Sequence, residues 1–379
     1  MSRRVKKKPT ERKYYRLDNI MKKAPNSLYY MCYGERSNGK SYACLEYMLK
    51  DYLKTGRECA IIRRWKEDFR GKRAPQMWAN LVYNELGENK VKEYTNGKFD
   101  NITYQSGRWY LSYYDKEHDK NITAPEPFCY SFGLSDYEHD KSSSFGKVGN
   151  VLFDEFIPKP GGLYLPEEFV TFMQTISTII RGRDGIKIFM CANSNDRYAL
   201  YFKEFGLKHV KDQKRGTIDV YTFGDSGLQV AVEYCDSPSE GKPSDKYFAF
   251  DNPSLKVITT GEWCVSLYPL LLRKFSDKDV KFRYFIKYED EILQANIVVR
   301  PNEAFTFIHR KTTPIKDDDK DIIFSCDQEQ KVNYLTKLTR PTTKTGSKIA
   351  SFFANNKVFY SSNEVGDIMN HYLNWCKTS

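Results

Sequence analysis

The sequence predicts an α/β domain with a mainly parallel sheet, followed by a smaller α+β domain. Near the N-terminus an apolar run, a glycine-rich turn, a helical stretch and a second apolar run follow one another, and this order predicts a right-handed crossover between parallel strands. Two further apolar runs flank a second helical stretch. Beyond a polar segment, strand-like patches follow one another before a last helical stretch, which is typical of an α+β domain.

The strands of the first domain are predicted from short apolar runs, which suit buried parallel strands. The helices are predicted from helical spacing, and Glu167 and Glu168 suit the N-terminus of the second helix. A segment rich in Tyr, Asn and Gly at 93–137 contains alternating stretches and predicts an antiparallel insertion. The predicted strands are 28–33, 59–62, 151–153 and 186–190, and the predicted helices are 41–53 and 166–180.

The C-terminal domain is predicted from strand-like patches at 282–288, 295–299 and 304–308 and from a helical stretch at 365–375. Ser, Pro, Gly and charged residues concentrate at 236–245, which marks a domain boundary. No internal repeat is found. The predicted organisation is a basic N-terminal arm at 1–24, a first domain at 25–238, a linker at 239–274 and a C-terminal domain at 275–379.

Composition limits the class of protein. The chain has 379 residues, and this length indicates two or three domains. Of these residues 40% are hydrophobic and 29% charged, a balance that excludes wholesale disorder. The 9 cysteines are scattered singly and there are 5 histidines, which disfavours a zinc module or disulfide framework and fits a reducing cytoplasm. The sequence has neither the apolar run of a membrane helix nor the pattern of a signal peptide, so we expect neither membrane insertion nor secretion.

Positive charge favours a polyanionic partner, because the formal net charge is +11. Much of this charge lies in residues 1–16, where Lys and Arg are opposed by Glu11 alone. We interpret this segment as a flexible basic arm, which either contacts phosphates or is simply a solvated tail.

The strongest motif is GERSNGKS at 34–41, which matches the phosphate-binding loop pattern of glycine, four residues, then glycine, lysine and serine. It follows a predicted strand and opens a predicted helix, the context that the motif requires. Gly34 and Gly39 let backbone amides converge on the phosphates. Lys40 is expected to reach the terminal phosphates and Ser41 to ligate magnesium. The predicted nucleotide-binding residues are Gly34, Arg36, Asn38, Gly39, Lys40 and Ser41.

A pair of acids follows the third apolar run. Asp154 and Glu155 come directly after 151–153, as required of a strand that delivers carboxylates to a phosphate site. We assign them different roles. Asp154 would hold the magnesium shell, often through water, and Glu155 would polarise a water molecule for attack on the terminal phosphate.

A phosphoryl-transfer site also needs positive charge for its transition state. Arg181 and Arg183 follow the second predicted helix, and each is interpreted either as an arginine finger supplied across a subunit boundary or as an ordinary surface arginine in a turn. Asn193 follows the fourth predicted strand. It is expected either to sense the γ-phosphate and attacking water or to cap a helix.

Three other arginines keep more than one interpretation. Arg36 lies inside the loop and would reach the nucleotide, Glu155 or solvent. Arg63 and Arg64 end the second strand and would serve the nucleotide, DNA or a surface ion pair. The acidic run 317–319 lies between lysines and is interpreted as a solvated loop rather than a metal site.

Five segments together resemble the DNA-packaging ATPases of small tailed bacteriophages, the encapsidation proteins of the phi twenty-nine type, which are relatives of large terminase subunits. The resemblance is specific across about 25–205 and is weak but compatible beyond. The segments are GERSNGKSY at 34–42, IIRRWKEDF at 61–69, VLFDEFI at 151–157, IRGR at 180–183 and MCAN at 190–193.

This resemblance implies an ASCE-type P-loop ATPase that uses ATP and magnesium to drive double-stranded DNA into an empty prohead. It implies a homopentameric ring docked on the portal protein at the portal vertex, in the cytoplasm of the infected bacterium, and it suggests a structural packaging RNA as a docking partner. The family's functional positions correspond here to Lys40 and Ser41, Asp154 and Glu155, Arg181 as the trans-acting finger and Asn193 as the coupling motif, with Arg183 as a rival finger.

The family's C-terminal domain resembles a ribonuclease-H-type nuclease that has lost its metal-binding acids. The strand patterns within 281–308 contain no convincing set of acids, so we expect the degenerate, nuclease-inactive version. Two other classes of function remain alternatives. One is a different P-loop enzyme, such as a helicase or a small-molecule kinase, and the other is a noncatalytic nucleic-acid-binding scaffold.

Overall fold

The computed structural model describes residues 14–34, 38–84, 87–136, 145–158, 163–193, 198–236, 268–327, 329 and 331–378. These residues divide into two compact units. The first unit contains the described residues up to 193 together with 207–236. The second contains 198–206 and the described residues from 268 onwards.

A ten-stranded sheet organises the described part of the first unit. Its strands are β1 (Tyr29–Tyr33), β2 (Glu58–Arg63), β3 (Asn101–Gln105), β4 (Arg108–Asp115), β5 (Lys120–Thr123), β6 (Cys129–Gly133), β7 (Val148–Asp154), β8 (Lys187–Ala192), β9 (Ile218–Phe223) and β10 (Leu228–Tyr234). The order is β3-β4-β6-β2-β7-β8-β1-β10-β9, and β5 pairs with β4. The strands from β6 to β10 in this order are parallel, whereas β3, β4, β5 and β9 add antiparallel edges.

The described helices of this unit are α1 (Asp18–Lys23), α2 (Lys40–Thr55), α3 (Arg73–Gln76), α4 (Ala79–Val82), α5 (Lys90–Tyr94) and α6 (Glu168–Ile180), with 3₁₀ turns at Lys66–Phe69 and Lys208–Asp212. The two long helices, α2 and α6, bury an apolar face on the sheet. β1 and β7 are buried along their whole length, as expected of strands covered on both faces. The predicted strands, the two predicted helices and the antiparallel insertion are confirmed, although β6 within the insertion joins the parallel part of the sheet.

The N-terminal segment differs from the prediction of a basic arm at 1–24. Leu17, Ile20 and Ala24 are buried in the same core cluster as the apolar face of α2. The described residues 14–24 therefore belong to the first unit, because α1 supplies apolar side chains that the core needs. The charged residues before position 14 lie outside the described residues.

The second unit contains a six-stranded sheet in its described residues. Its elements are α7 (Leu200–Glu204), β11 (Val280–Tyr288), β12 (Glu291–Arg300), β13 (Glu303–Arg310), β14 (Ile323–Ser325), β15 (Tyr334–Leu335), α8 (Lys344–Ala354), β16 (Val358–Tyr360) and α9 (Asn363–Thr378), with a 3₁₀ turn at Asp277–Asp279. β11, β12 and β13 form an antiparallel meander. β14 pairs in parallel with β11, β15 with β14, and β16 with β13.

The predicted strands of the second unit and its last helix are confirmed at β11, β12, β13 and α9. Two boundaries differ from the prediction. Residues 198–206, assigned by the sequence to the first domain, belong to the second unit, where Lys203 lies over the rings of Tyr288 and Trp375. The second unit also begins before the predicted position 275, since Leu270 forms a β-bridge with Tyr360. None of the helices in the described ranges combines the length and apolar character needed to cross a bilayer.

Candidate nucleotide-binding site

Three parallel strands bring the sequence-predicted residues to one edge of the first sheet. β7, β8 and β1 are neighbours, and Asp154 at the end of β7 is opposite Cys191 on β8. Tyr33, the last residue of β1, is opposite Ala192. The phosphate loop directly follows Tyr33, and Asn193 directly follows β8. Because the carboxyl ends of parallel strands meet at one edge of a sheet, the loop, the acids and Asn193 share that edge.

The loop has the backbone geometry that its glycines permit. Gly34 has φ 142°, and a Cβ atom there would lie 3.1 Å from the carbonyl oxygen of Cys235. Gly39 has φ 91° and immediately precedes α2, so the helix opens at the loop. A side chain at either position would be strained, because φ values in this range suit glycine. Arg36 lies outside the described residues.

Lys40 is buried beside the loop. Its Nζ atom donates to Asn38 Oδ1 at 3.0 Å and to the carbonyl oxygen of Gly34 at 3.4 Å. Burial lowers the pKa of the Lys40 ammonium. Asn38 is also buried, and its Nδ2 atom has no hydrogen-bond partner among the described residues. A buried donor without a partner suits a site completed by an acceptor-rich ligand such as a phosphate.

Ser41 and Asp154 lie in direct contact. The Ser41 hydroxyl donates to Asp154 Oδ1 at 2.7 Å, joining the first turn of α2 to the end of β7. A hydroxyl and a carboxylate are the hard oxygen ligands that Mg²⁺ prefers, and a Mg²⁺ site typically needs only one or two carboxylates besides substrate phosphates. The two residues therefore fit a magnesium ion bound beside the phosphate loop.

Arg63, which the sequence left unassigned, contacts both predicted acids. Its Nη2 atom donates to Asp154 Oδ2 at 2.6 Å, and its Nη1 atom lies 3.0 Å from Glu155 Oε2. The side chain of Asp154 is 10% exposed and that of Glu155 is 41% exposed. Arg63 thus balances two adjacent negative charges and leaves the Glu155 carboxylate accessible.

Arg64, also left unassigned, has a different role from its neighbour. It forms a buried bidentate ion pair with Glu168, with N–O distances of 2.6 and 2.8 Å. It also donates to the carbonyl oxygen of Glu155 at 3.2 Å, where the backbone has φ 62°. Such a left-handed conformation costs a non-glycine residue roughly 1–2 kcal/mol, so Glu155 is held in place by its surroundings.

A cavity of about 120 Å³ adjoins the contact between α2 and β7. Apolar side chains from α2, β2, β7 and the segment around α4 form most of its wall. Its lining is Ser41, Tyr42, Leu45, Ile61, Arg63, Met77, Asn80, Leu81, Leu152 and Asp154. The acid at the end of β7 therefore faces an open space rather than a packed interior.

Arg181 and Arg183 lie at the other edge of the sheet. The Arg183 guanidinium donates to the carbonyl oxygen of Val148, the first residue of β7, at 2.8 Å, whereas Asp154 is the last of its 7 residues. At about 3.3 Å per residue, this places Arg183 roughly 20 Å from the acid of its own chain. Arg181 is exposed and directly follows α6. Neither arginine is brought to the phosphate loop of its own chain.

The two arginines differ in their surroundings. The Arg183 side chain donates to five backbone carbonyl oxygens of its own chain, those of Phe145, Gly146, Val148, Ile179 and Ile180. These bonds favour the structural interpretation of Arg183. Arg181, by contrast, is exposed directly after the end of α6.

Sequence reasoning missed the contact between the N-terminal segment and the loop. The backbone N–H of Tyr15 donates to the carbonyl oxygen of Asn38 at 2.8 Å, and its hydroxyl donates to Glu233 Oε2 at 2.6 Å. Burial, followed by the proximity of Cys32, raises the pKa of Glu233 from 4.5 to about 7. No local motif identifies this contact, although aromatic residues at 14 and 15 are unusual in an otherwise basic tail.

The acidic run of the second unit is bound by lysines. Asp318 accepts hydrogen bonds from Tyr334, Lys331 and Lys287, which lower its pKa to about 2. Lys331 also pairs with Asp319 at 2.9 Å. Within the described residues, no group of three or more His, Cys, Asp or Glu side chains is arranged to hold a metal ion.

Curated relatives match about half of the chain. The DNA packaging protein of Bacillus phage B103 is 25% identical over 175 residues, which cover 46% of this chain and 46% of that protein. The DNA packaging protein of Bacillus phage phi29 is 23% identical over 175 residues, which cover 46% of this chain and 45% of that protein. The matched region therefore spans about half the length of these relatives.

Solved structures share the fold. The Phi-28 gp11 DNA packaging motor has a TM-score of 0.52 at 16% identity and covers 97% of this chain and 98% of its own. The bacteriophage Phi-29 viral genome packaging motor assembly has a TM-score of 0.53 at 15% identity and covers 96% of this chain and 99% of its own. The family model for the podovirus DNA encapsidation protein (Gp16) matches residues 11–237, more than half of the 379-residue chain. This chain belongs to that family of podovirus DNA encapsidation proteins.

Proposed function

We propose that this chain is the ATPase of a viral DNA-packaging motor, which hydrolyses ATP to move double-stranded DNA into a preformed prohead. The observation that carries the proposal is the contact at 2.7 Å between Ser41 of the phosphate loop and Asp154. This contact supports the proposal because a phosphoryl-transfer site needs the phosphate loop and an acidic metal ligand side by side. Membership of the encapsidation family supports DNA packaging as the use of that chemistry.

The residues around the loop would bind ATP. Lys40 would move from its contacts with Gly34 and Asn38 to the terminal phosphates, and the Asn38 amide would find an acceptor there. Ser41 and Asp154 would hold Mg²⁺, which when bound neutralises phosphate charge and orients the leaving group. The Ser41 hydroxyl and the Asp154 carboxylate already point at each other, so little rearrangement is needed to place both on one ion.

Glu155 would orient the attacking water and accept its proton. Its exposed carboxylate and its position one residue beyond Asp154 support this role. Arg63 would hold the carboxylate in its reactive orientation through the 3.0 Å contact with Glu155. Asn193, at the same edge of the sheet, would contact the γ-phosphate and link its hydrolysis to the residues that follow β8.

The arginine finger would come from a neighbouring copy. Arg181 is the preferred finger, because Arg183 is engaged by carbonyl groups of its own chain. Completion of each site by another subunit calls for a closed ring, and we propose a homopentamer. The basic chain, with a net charge of +11, would track the DNA phosphate backbone without reading bases.

The remaining partners follow from the packaging role. The ring would dock on the portal protein of the prohead, in the cytoplasm of the infected bacterium, and a structural packaging RNA would join the assembly. The second unit would serve docking and nucleic-acid contacts without nuclease activity.

The test is ATP hydrolysis by the purified full chain, with and without DNA and proheads. Glu155→Gln is expected to keep nucleotide binding and to lose turnover by a factor of about 10³, since a general base typically contributes 10²–10⁴. Full turnover in Glu155→Gln would reject the assigned base. A phosphorylated small-molecule acceptor would favour a kinase, strand separation without packaging would favour a helicase, and DNA binding without phosphate release would favour a scaffold.

A further inference from the structure

Arg64 is a buried arginine next to the residues of the site. Its three nitrogen atoms all donate: Nε and Nη2 to the two carboxylate oxygens of Glu168, Nη1 to the carbonyl oxygen of Glu155 and Nη2 also to that of Phe156 at 2.9 Å. Arg64 is 6% exposed and Glu168 is 1% exposed. The pair therefore joins β2, the chain after β7 and the start of α6 inside the protein.

A buried ion pair is not, by itself, evidence that the pair stabilises the fold. The loss of hydration of both charges offsets much of their attraction, and well-packed apolar residues often serve stability as well. What an apolar pair would not supply is the set of hydrogen bonds to the two carbonyl groups that follow β7. These carbonyls belong to Glu155, in its left-handed conformation, and to Phe156.

The backbone after β7 is also held from the opposite side. The N–H of Phe156 donates to the carbonyl oxygen of Cys191 on β8 at 3.2 Å. The peptide that carries the Glu155 side chain is thus fixed between β8 and the Arg64 guanidinium. Without Arg64, one of these two supports is missing and the backbone has a less strained conformation available.

The partner of Arg64 begins a helix that leads to the proposed finger. Glu168 is the first residue of α6, and its Oε2 atom also accepts from the backbone N–H of Leu165 at 2.8 Å. α6 has 13 residues and ends directly before Arg181. A helix of that length spans about 20 Å, which connects the Glu155 peptide to the opposite edge of the sheet.

We propose that Arg64 is the positioning residue for the catalytic Glu155. Through Glu168, it also makes α6 a rigid connection between one subunit's glutamate and the arginine that the subunit presents to its neighbour. This inference rests on the proposed function. It assigns to one buried ion pair both the placement of the base and the coupling of adjacent sites.

The first experiment separates positioning from stability. The double variant Arg64→Met, Glu168→Leu replaces the ion pair by apolar side chains of similar size, and Glu167→Gln, an exposed neighbour, is the control. We expect the double variant to fold with a lower melting temperature, because two carbonyl groups and the N–H of Leu165 lose their partners. At a temperature where it is folded, it should bind a nonhydrolysable ATP analogue within about threefold of wild type and lose about 100-fold in kcat per folded molecule, as misplacement by about 1 Å can cause. A wild-type kcat in the folded double variant would overturn the positioning role.

A second variant covers failure of the apolar pair to fold. Arg64→Lys keeps the positive charge but lacks the planar fork that reaches the carboxylate and both carbonyl groups at once. We expect the same selective loss of kcat, with the Michaelis constant for ATP nearly unchanged. Wild-type kcat in Arg64→Lys would overturn the proposal.

The second experiment tests the connection through α6. Lys40→Ala subunits offer Arg181 without hydrolysing ATP, and Arg181→Ala subunits keep an intact loop, so their mixture should regain hydrolysis. Adding Glu168→Gln to the Lys40→Ala donor is expected to reduce that gain about tenfold, whereas an unchanged gain would overturn the connection. A donor that restores nothing even with Glu168 intact would overturn the trans finger of the proposed function, and the α6 connection with it. The first experiment would still decide the positioning of Glu155.

Discussion

The Ser41 hydroxyl lies 2.7 Å from the Asp154 carboxylate, although the two residues are 113 positions apart in the chain. The contact exists because β1 and β7 are separated in the sheet only by β8, so that the helix following one and the acid ending the other face the same crevice. It places the two side chains that we propose as magnesium ligands within hydrogen-bond distance of each other. Several of the expected effects of mutation depend on this geometry.

Ser41→Ala should uncouple magnesium from nucleotide binding. Without the hydroxyl, Asp154 loses its hydrogen bond and the ion loses a ligand, while the backbone amides of the loop remain in place. We expect ATP affinity without magnesium to stay near wild type, and the gain in affinity on adding magnesium to fall at least about tenfold, or ~1.4 kcal/mol. Titration calorimetry with a nonhydrolysable analogue, with and without magnesium, measures both values.

The control for this prediction is Thr55→Ala, which removes an exposed hydroxyl at the far end of the same helix. It should leave both affinities unchanged. A Ser41→Ala protein with the full magnesium effect would show that Ser41 does not ligate the ion.

Arg63→Gln should expose the charge repulsion between the two acids. Arg63 contacts Asp154 at 2.6 Å and Glu155 at 3.0 Å, and its loss leaves two adjacent carboxylates without their partly buried cation. We expect the free energy of unfolding to fall by about 3 kcal/mol, as when one partner of a buried pair is removed. Added magnesium should restore part of the loss, because the freed carboxylates then bind the ion.

The measurement is thermal unfolding of wild type and Arg63→Gln at several magnesium concentrations without nucleotide. Magnesium should raise the melting temperature of the variant more than that of wild type. An equal response of the two proteins would mean that Arg63 does not compete with the cation for these acids.

Much of this site could be predicted from the sequence because it is encoded in short segments. The spacing from Gly34 to Ser41 predicts the loop, and the acids after an apolar run predict a metal ligand. Alternating strands and helices bring these segments together. The parallel strands around them could be predicted for the same reason. β9 and β10 were not predicted, since β9 is a partly exposed edge strand and the continuous apolar run of β10 is limited to 230–232.

The contacts of the arginines could not be predicted from the sequence. Arg63 and Arg64 are consecutive on the chain, yet one contacts the two acids and the other pairs with Glu168, because successive side chains point in opposite directions at the end of a strand. Asp154 lies 91 positions from Arg63 at the end of β7, and Glu168 lies 104 positions from Arg64 at the start of α6, so both contacts depend on how the chain folds. The assignment of residues 198–206 to the second unit is similarly set by packing, and no local composition marks it.

Glu233 should make stability depend on pH. Its folded-state pKa is raised from 4.5 to about 7 by burial, so the folded protein binds more protons than the unfolded chain between these values. The contribution to stability is fully present below pH 4.5 and is lost as pH rises through about 7. We expect a loss of about 2–3 kcal/mol from this group between pH 5 and 8, taking ~1.4 kcal/mol per pKa unit.

Glu233→Gln should remove this part of the pH dependence, because the amide oxygen still accepts from the Tyr15 hydroxyl but carries no charge. Urea unfolding at pH 5, 6, 7 and 8 measures the effect. Glu67→Gln changes an exposed carboxylate and should leave the wild-type profile intact. A Glu233→Gln profile as steep as wild type would place the pH dependence elsewhere.

Substitution of Arg183 should lower stability, whereas substitution of Arg181 should lower catalysis. Arg183 donates to five carbonyl groups of its own chain, so Arg183→Ala removes all of these bonds and should cost about 2–4 kcal/mol in the free energy of unfolding. Arg181 is exposed after α6, and Arg181→Gln should change stability by no more than about 0.5 kcal/mol. ATP hydrolysis should show the opposite order. Arg181→Gln should lose it, since a trans-acting arginine is worth 10³ or more in turnover, whereas Arg183→Ala should keep it.

The comparison requires both variants under conditions in which both are folded, such as low temperature. Arg181→Gln should then show negligible ATP turnover at wild-type stability, and Arg183→Ala should retain turnover per folded molecule despite its lower melting temperature. If Arg183→Ala instead loses turnover while fully folded, and Arg181→Gln retains it, the finger is Arg183. It would then have to leave its five carbonyl partners when two subunits meet, and the energy of those bonds would oppose each assembly of the site.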